Sequence, residues 1–273
     1  MSVCLSLKRI TASLSPSLSA PRPFKSFRLS QREHCSPSGD SAASVLSERA
    51  LLERAISRDA YGITAAGCDA RQVPMLLDEC GVEWNSIGCC NWAETYPYKP
   101  KAEFRLACTD EALLLHYRVE EDSIRALCAE DNGRVWTDSC VEMFLSPRPD
   151  DGSYYNLECN CIGTVLLGYH DGRGNKLHAS ADLMAGISRW SSLGRLPFAE
   201  RKADGPWQVA LVVPLTSYWM ECDEWFGEGA VIRGNFYKCG DELSKPHFLS
   251  WAPIVWEKPN FHLPQFFGQL CWR

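Results

Sequence analysis

The chain has 273 residues and a mass of 30.6 kDa, enough for one sizeable domain or two small ones, and 45% hydrophobic with 23% charged residues excludes disorder over its whole length. Net charge is −6, but the first 32 residues carry six basic side chains and no acidic one, so the remainder stands at −12. An acidic body argues against general nucleic-acid binding, and no apolar run reaches the eighteen or so residues of a membrane-spanning helix.

Residues 1–40 are rich in Ser, Pro and Arg and lack the long apolar stretch of a secretory signal, although they partly resemble a transit peptide. Disorder, or a start placed too far upstream, is the expectation there. Over 41–57, Ala, Leu and Ile recur at helical spacing with Glu48 and Glu53 beside Arg49 and Arg54, which predicts a short amphipathic helix. Residues 1–58 are therefore set apart as an extension and 59–273 as the folded domain. Val73 to Cys80 predicts a second helical turn.

From Phe104 the period shifts from about 3.6 to 2: Phe104, Leu106 and Cys108 alternate with Glu103 and Arg105, and Leu113, Leu115, Tyr117 and Val119 with Leu114, His116 and Arg118. On this pattern His116 faces solvent. Further strands are expected at 139–146, 154–160, 164–169, 207–214, 232–238, 248–251 and 267–272, separated by turn-rich stretches such as 147–153 and 171–175. Many short strands with almost no long helix predict an all-β antiparallel sandwich of jelly-roll type, with a short N-terminal helical segment.

Fourteen cysteines lack the regular spacing of a disulfide framework, and the thiols fall on apolar strand positions. They read as reduced, which favours a cytoplasmic home. Cys159 and Cys161 share one strand face and read as small core residues. His247 and His262 with Cys239 and Cys271 match no zinc spacing, so the histidines read as satisfied loop residues.

Three stretches carry possible chemistry. In Trp136-Thr137-Asp138-Ser139-Cys140-Val141-Glu142-Met143-Phe144, Glu142 alternates with Val141 and Met143; if those two face the core, Glu142 points outward or into a groove. In Tyr154-Tyr155-Asn156-Leu157-Glu158-Cys159-Asn160, three polar side chains share a face that suits sugar hydroxyls or calcium, or is simply solvated. The third runs from Arg233-Gly234-Asn235-Phe236-Tyr237-Lys238 through Ser250-Trp251-Ala252-Pro253 to the Pro-broken aromatic segment 261–268. That last segment fits either a ligand-stacking loop or a plug at one end of the core.

In order and spacing these stretches resemble the family 9 carbohydrate-binding modules, within the larger DOMON-like group of β-sandwiches. The features are a Trp six residues before the Glu of an Asp-Ser-x-Val-Glu-x-Phe strand, the following polar-aromatic strand, the Asn-bearing strand, the Ser-Trp strand and a closing aromatic-x-x-Pro-x-x-Phe-Gly-x-Leu segment. The tail resembles a bacterial subgroup of that family. The resemblance implies a non-catalytic sugar site in which two aromatic walls clamp a ring. Trp136 matches the first wall and Glu142 the hydroxyl-binding carboxylate; the second Trp of the family falls at Phe261, and Glu158 replaces an Arg. Asn235, Tyr237 and Asn160 would form the floor. The family often carries structural calcium, for which Asp110 and Asp122 are the candidates here. A module of this kind would act beside a glycoside hydrolase in trans. Two other readings stay open: a hydrolase using carboxylates among Asp138, Glu142 and Glu158, and haem held through Met143 and a histidine.

Overall fold

The computed structural model describes residues 25–30, 68–109, 111–221 and 231–272. The predicted helix at 41–57 lies outside them, as does Asp110. The strands in chain order are β1 Lys25–Ser30, β2 Asn85–Ser86, β3 Lys101–Cys108, β4 Ala112–Glu120, β5 Ser123–Ala126, β6 Cys140–Ser146, β7 Tyr154–Asn160, β8 Val165–His170, β9 Lys176–His178, β10 Ser188–Ser191, β11 Phe198–Lys202, β12 Trp207–Pro214, β13 Val231–Cys239, β14 Phe248–Ser250 and β15 Gly268–Trp272. Two short helices, α1 Val73–Glu79 and α2 Ala181–Gly186, lie among them.

Two antiparallel sheets face each other: β10-β12-β4-β3, with β2 added, and β15-β13-β6-β7-β8-β9, with β14 added. Strand β1, from the segment set apart as an extension, pairs with both β3 and β15 and joins the two sheets. β5 and β11 form a separate ribbon. The alternating residues of β3, β4 and β12 meet Val141, Met143, Leu145, Tyr155, Leu157, Cys159, Leu167 and Phe236 in the inter-sheet core. Phe104 stacks on Phe236 there, ring centroids 3.6 Å apart. Cys161 and Met143 also lie in this core, which leaves Met143 facing apolar side chains rather than a haem site.

Neither sheet has the solvated outer face that simple alternation implies. On one, α1 lays Val73, Leu76 and Leu77 over Ala107, Leu114, Ala210 and Val212. His116 is thereby buried, at 1% exposure, under α1 and Trp84, which corrects its expected solvent position. Its Nδ1 accepts from Arg105 Nε at 3.1 Å, and its Nε2 meets Gln208 Oε1 at 2.8 Å. Arg105 in turn reaches Asp78 and the Pro74 carbonyl of α1. The outer face of the other sheet is roofed by loops over Cys140, Phe144, Tyr154, Leu166 and Tyr237, forming a second apolar cluster with Trp92, Phe261 and Phe267.

Burial, then the charge of Arg105, lowers His116 to about 4. The native state holds it neutral, whereas the unfolded chain protonates it near 6.5. Stability from this site is therefore complete above about pH 6.5 and lost as pH falls toward 4. Compared by urea unfolding at pH 7 and pH 5, a His116→Gln variant should show a shallower pH dependence than the unsubstituted protein, by up to about 2 kcal/mol. Identical dependence in both would show that another group titrates.

Candidate functional site

β6 and β7 pair in register so that Glu142 stands directly opposite Glu158, and Tyr237 of β13 lies opposite Glu142 on its other side. Both carboxylates project from the loop-roofed face, and each is only 3% exposed. They form the floor of a cavity of about 260 Å³ whose other lining residues include Trp136, Phe248, Phe261, Lys176 and Asp241. Pro259, Asn260, His262 and Cys239 complete it. Four of the residues chosen from sequence, Trp136, Glu142, Glu158 and Phe261, thus come together, although 125 positions separate the two aromatic walls.

Each wall is held from behind. The Phe261 ring lies flat on Tyr237, centroids 4.1 Å apart and 10° between planes, and its carbonyl accepts from the Tyr237 hydroxyl at 3.2 Å. Trp136 sits in a single 3-10 turn, Val135–Thr137. Its carbonyl accepts from the Asp241 N–H at 3.2 Å, which brings the loop after β13 against the cavity rim.

On the floor, Asn156 Nδ2 donates to Glu158 Oε1 at 2.8 Å, and the Cys239 thiol donates to Glu142 Oε1 at 3.0 Å. Asn156 has room for this because Gly168 stands opposite it on β8; a Cβ there would collide with the amide oxygen. Burial, and next the neighbouring Glu158 charge, raises Glu142 well above the ordinary carboxylate range. Burial raises Glu158 too, against the opposing pull of Asn156 and Lys176. Asp241 keeps an exposed edge, yet partial burial at the rim lifts it to about 6. Two buried carboxyls at paired strand positions cannot both be charged cheaply, so the floor holds protons as well as lone pairs.

The remaining sequence candidates lie outside this lining. Asn160 donates to the Cys128 carbonyl and to Asp138 Oδ2, and accepts from the Thr164 N–H. Asn235 donates to the Ala252 carbonyl and accepts from the N–H groups of Ala252 and Phe236, tying β13 to the Ser-Trp segment. Tyr237 supports Phe261 from behind. The expectation of a floor built from these three is corrected: their polar atoms are committed to the scaffold, while Glu142 and Glu158 make the floor. Asp138 is likewise committed, its oxygens accepting from the N–H groups of Leu127 and Cys128 at 3.0 and 2.8 Å and from Asn160. Asp122, a calcium candidate, is paired with Lys245 at 2.6 Å. His247 bonds Lys238 inside the core and His262 meets the Tyr154 hydroxyl at 2.9 Å, so the two histidines serve separate neighbourhoods.

Lys176, Cys239, Asp241, Phe248, Pro259 and Asn260 were not singled out as ligand contacts. Cys239 was within reach, because it continues the period-2 face of Asn235 and Tyr237. Lys176 was not, since β9 spans only three exposed residues and has no alternation to read.

A family model described as "Carbohydrate-binding family 9" matches residues 71–272. Among solved structures, a protein of Bacteroides uniformis described as a candidate carbohydrate-binding protein is 45% identical, with a TM-score of 0.71 over 76% of this chain and 93% of that one. A family 9 carbohydrate-binding module of Caldicellulosiruptor kristjanssonii, solved with glucose and with cellotriose, is 16% and 15% identical at TM-scores of 0.42 and 0.40. Each covers 69% of this chain, against 83% and 81% of its own. A comparison with curated proteins returns no match.

Replacing Asp138, itself fully buried, with Ala should destabilise the fold by about 3 kcal/mol, because one buried and two part-buried donors lose their acceptor. The urea midpoint reads this out; a change within about 0.5 kcal/mol would mean that water replaces the carboxylate without loss.

Proposed function

Because the chain belongs to carbohydrate-binding family 9, a family of non-catalytic modules, we propose that its roofed cavity holds one sugar ring between Trp136 and Phe261. The observation that carries the reading is the convergence of two aromatic walls on a buried carboxyl pair within a single cavity of about 260 Å³. That volume is below the roughly 300–1,000 Å³ of sites for drug-sized ligands, which favours a monosaccharide or a chain end over an internal stretch of polymer.

The chemistry is complementary on both sides. The C–H faces of a pyranose stack on indole and phenyl rings, and its hydroxyls need partners that accept and donate. Glu142 and Glu158 offer both, since burial keeps protons on the pair, and Lys176 adds donors at the mouth. Phe261 is smaller than an indole and has no N–H, so Trp136 provides the larger share of stacking. With Asp138 committed to backbone amides and Asn160, the carboxyls left to meet a ring are Glu142 and Glu158 on the floor and Asp241 at the rim.

Intrinsic tryptophan fluorescence of the full chain, titrated with a panel of mono- and disaccharides, should saturate with at least one of them. Trp136→Ala should weaken that binding by about five- to a hundredfold, the equivalent of about 1–3 kcal/mol of ring stacking. Trp256→Ala, at an exposed residue outside the lining, should leave the affinity unchanged. A flat response to every sugar from folded protein would overturn the reading.

A further inference from the structure

The sulfur atoms of Cys140 and Cys239 and a carboxylate oxygen of Glu142 lie within 4.8 Å of one another, and all three residues are buried. The strand register explains the meeting. Cys140 and Cys239 are direct partners across β6 and β13, and Glu142 stands two residues along β6 on the same face. Cys239 and Glu142 also line the cavity, so the group lies at its base.

A second observation points the same way. Glu158, in register with Glu142 and equally buried, has an Oε2 oxygen without a hydrogen-bond partner. Leaving a buried carboxylate oxygen unpaired is costly, and a cation is the partner that such an oxygen takes most readily. Neither neighbouring lysine hydrogen-bonds it, although Lys176 attracts it from a distance. Lys238, next to Cys239 in the chain, projects from the opposite face and pairs with Glu121 at 3.0 Å, while Lys176 sits exposed at the mouth.

We propose that Cys140, Cys239 and Glu142 form a binding site for a thiophilic divalent cation of the zinc class, with the buried Glu158 carboxyl paired across the strands from Glu142. Two sulfurs and one carboxylate suit zinc; calcium and magnesium prefer oxygen donors throughout. Loading converts both thiols to thiolates and Glu142 to its carboxylate, and releases the displaced protons to solvent. The Cys239-to-Glu142 hydrogen bond is then replaced by two bonds to the ion. The site does not depend on the sugar reading, although an ion there would present a coordination position to the cavity.

The test uses the full chain, stripped of metal by a chelator, dialysed and kept reduced with a phosphine. Cobalt(II) titration should produce thiolate-to-cobalt charge-transfer absorption that saturates at a single ion per chain and disappears when zinc is added. Cys140→Ser and Cys239→Ser should each weaken binding about tenfold or more and remove much of that absorption. Cys161→Ser, at a buried thiol of the inter-sheet core, should leave it intact. Absence of the charge-transfer band in the unsubstituted protein overturns the proposal even if the serine variants do not fold, and so does a band that both folded serine variants retain. Sugar titration of the metal-free chain tests the sugar reading separately.

Discussion

Glu142 and Glu158 face each other across two central strands that have no face open to water, and much of the surrounding structure can be understood as accommodating them. Burial raises the proton affinity of both carboxyls, and the neighbouring Glu158 charge raises that of Glu142 further. The pair persists because the backbone leaves it no alternative. Val141, Met143, Leu157 and Cys159 must fill the inter-sheet core, and period 2 then sends Glu142 and Glu158 to the same point on the other face. The Tyr117 hydroxyl reinforces this by donating to the Glu142 carbonyl at 2.8 Å from the facing sheet.

Other buried polar groups are handled differently. Between the sheets, Lys238 contacts Glu121 and His247, and the Trp207 indole N–H donates to Glu121 Oε1 at 2.7 Å. His247 is neutral, lowered to about 2 by burial and by Lys238; it accepts from that lysine and donates to the Lys245 carbonyl at 2.9 Å. Asp138 and Asn160 are saturated in the same way. These networks stiffen the scaffold because each strong donor or acceptor within them has an internal partner. The cavity floor contrasts with them: its carboxyl oxygens keep capacity to spare, which is the chemical difference between a structural polar cluster and a binding site.

Period-2 alternation made β4, β6, β7 and β12 readable in the sequence, together with the residues that face the inter-sheet core. It could not reveal that the other faces are covered too. His116 and Asn160 alternate with core residues as a solvated residue would, yet α1 buries the first and the loop holding Asp138 engages the second. β5, β9, β10 and β11 are too short, or too exposed, to carry a periodic signal. The aromatic walls became legible only through family resemblance, because no local pattern links Trp136 to Phe261. The meeting of Cys140 with Cys239 needed strand register, which depends on how distant segments pair.

β1 has a role out of proportion to its six residues. It pairs on one side with Lys25↔Cys108 and Ser26↔Ala107, and on the other with four consecutive positions of β15. Its backbone therefore satisfies hydrogen-bonding rows from both layers at once, and a protein trimmed to the boundary suggested by composition would expose two raw sheet edges side by side. Such edges readily recruit strands from neighbouring molecules. Self-association of a shortened chain would then report a missing seam between the sheets rather than any property of the sugar-facing surface.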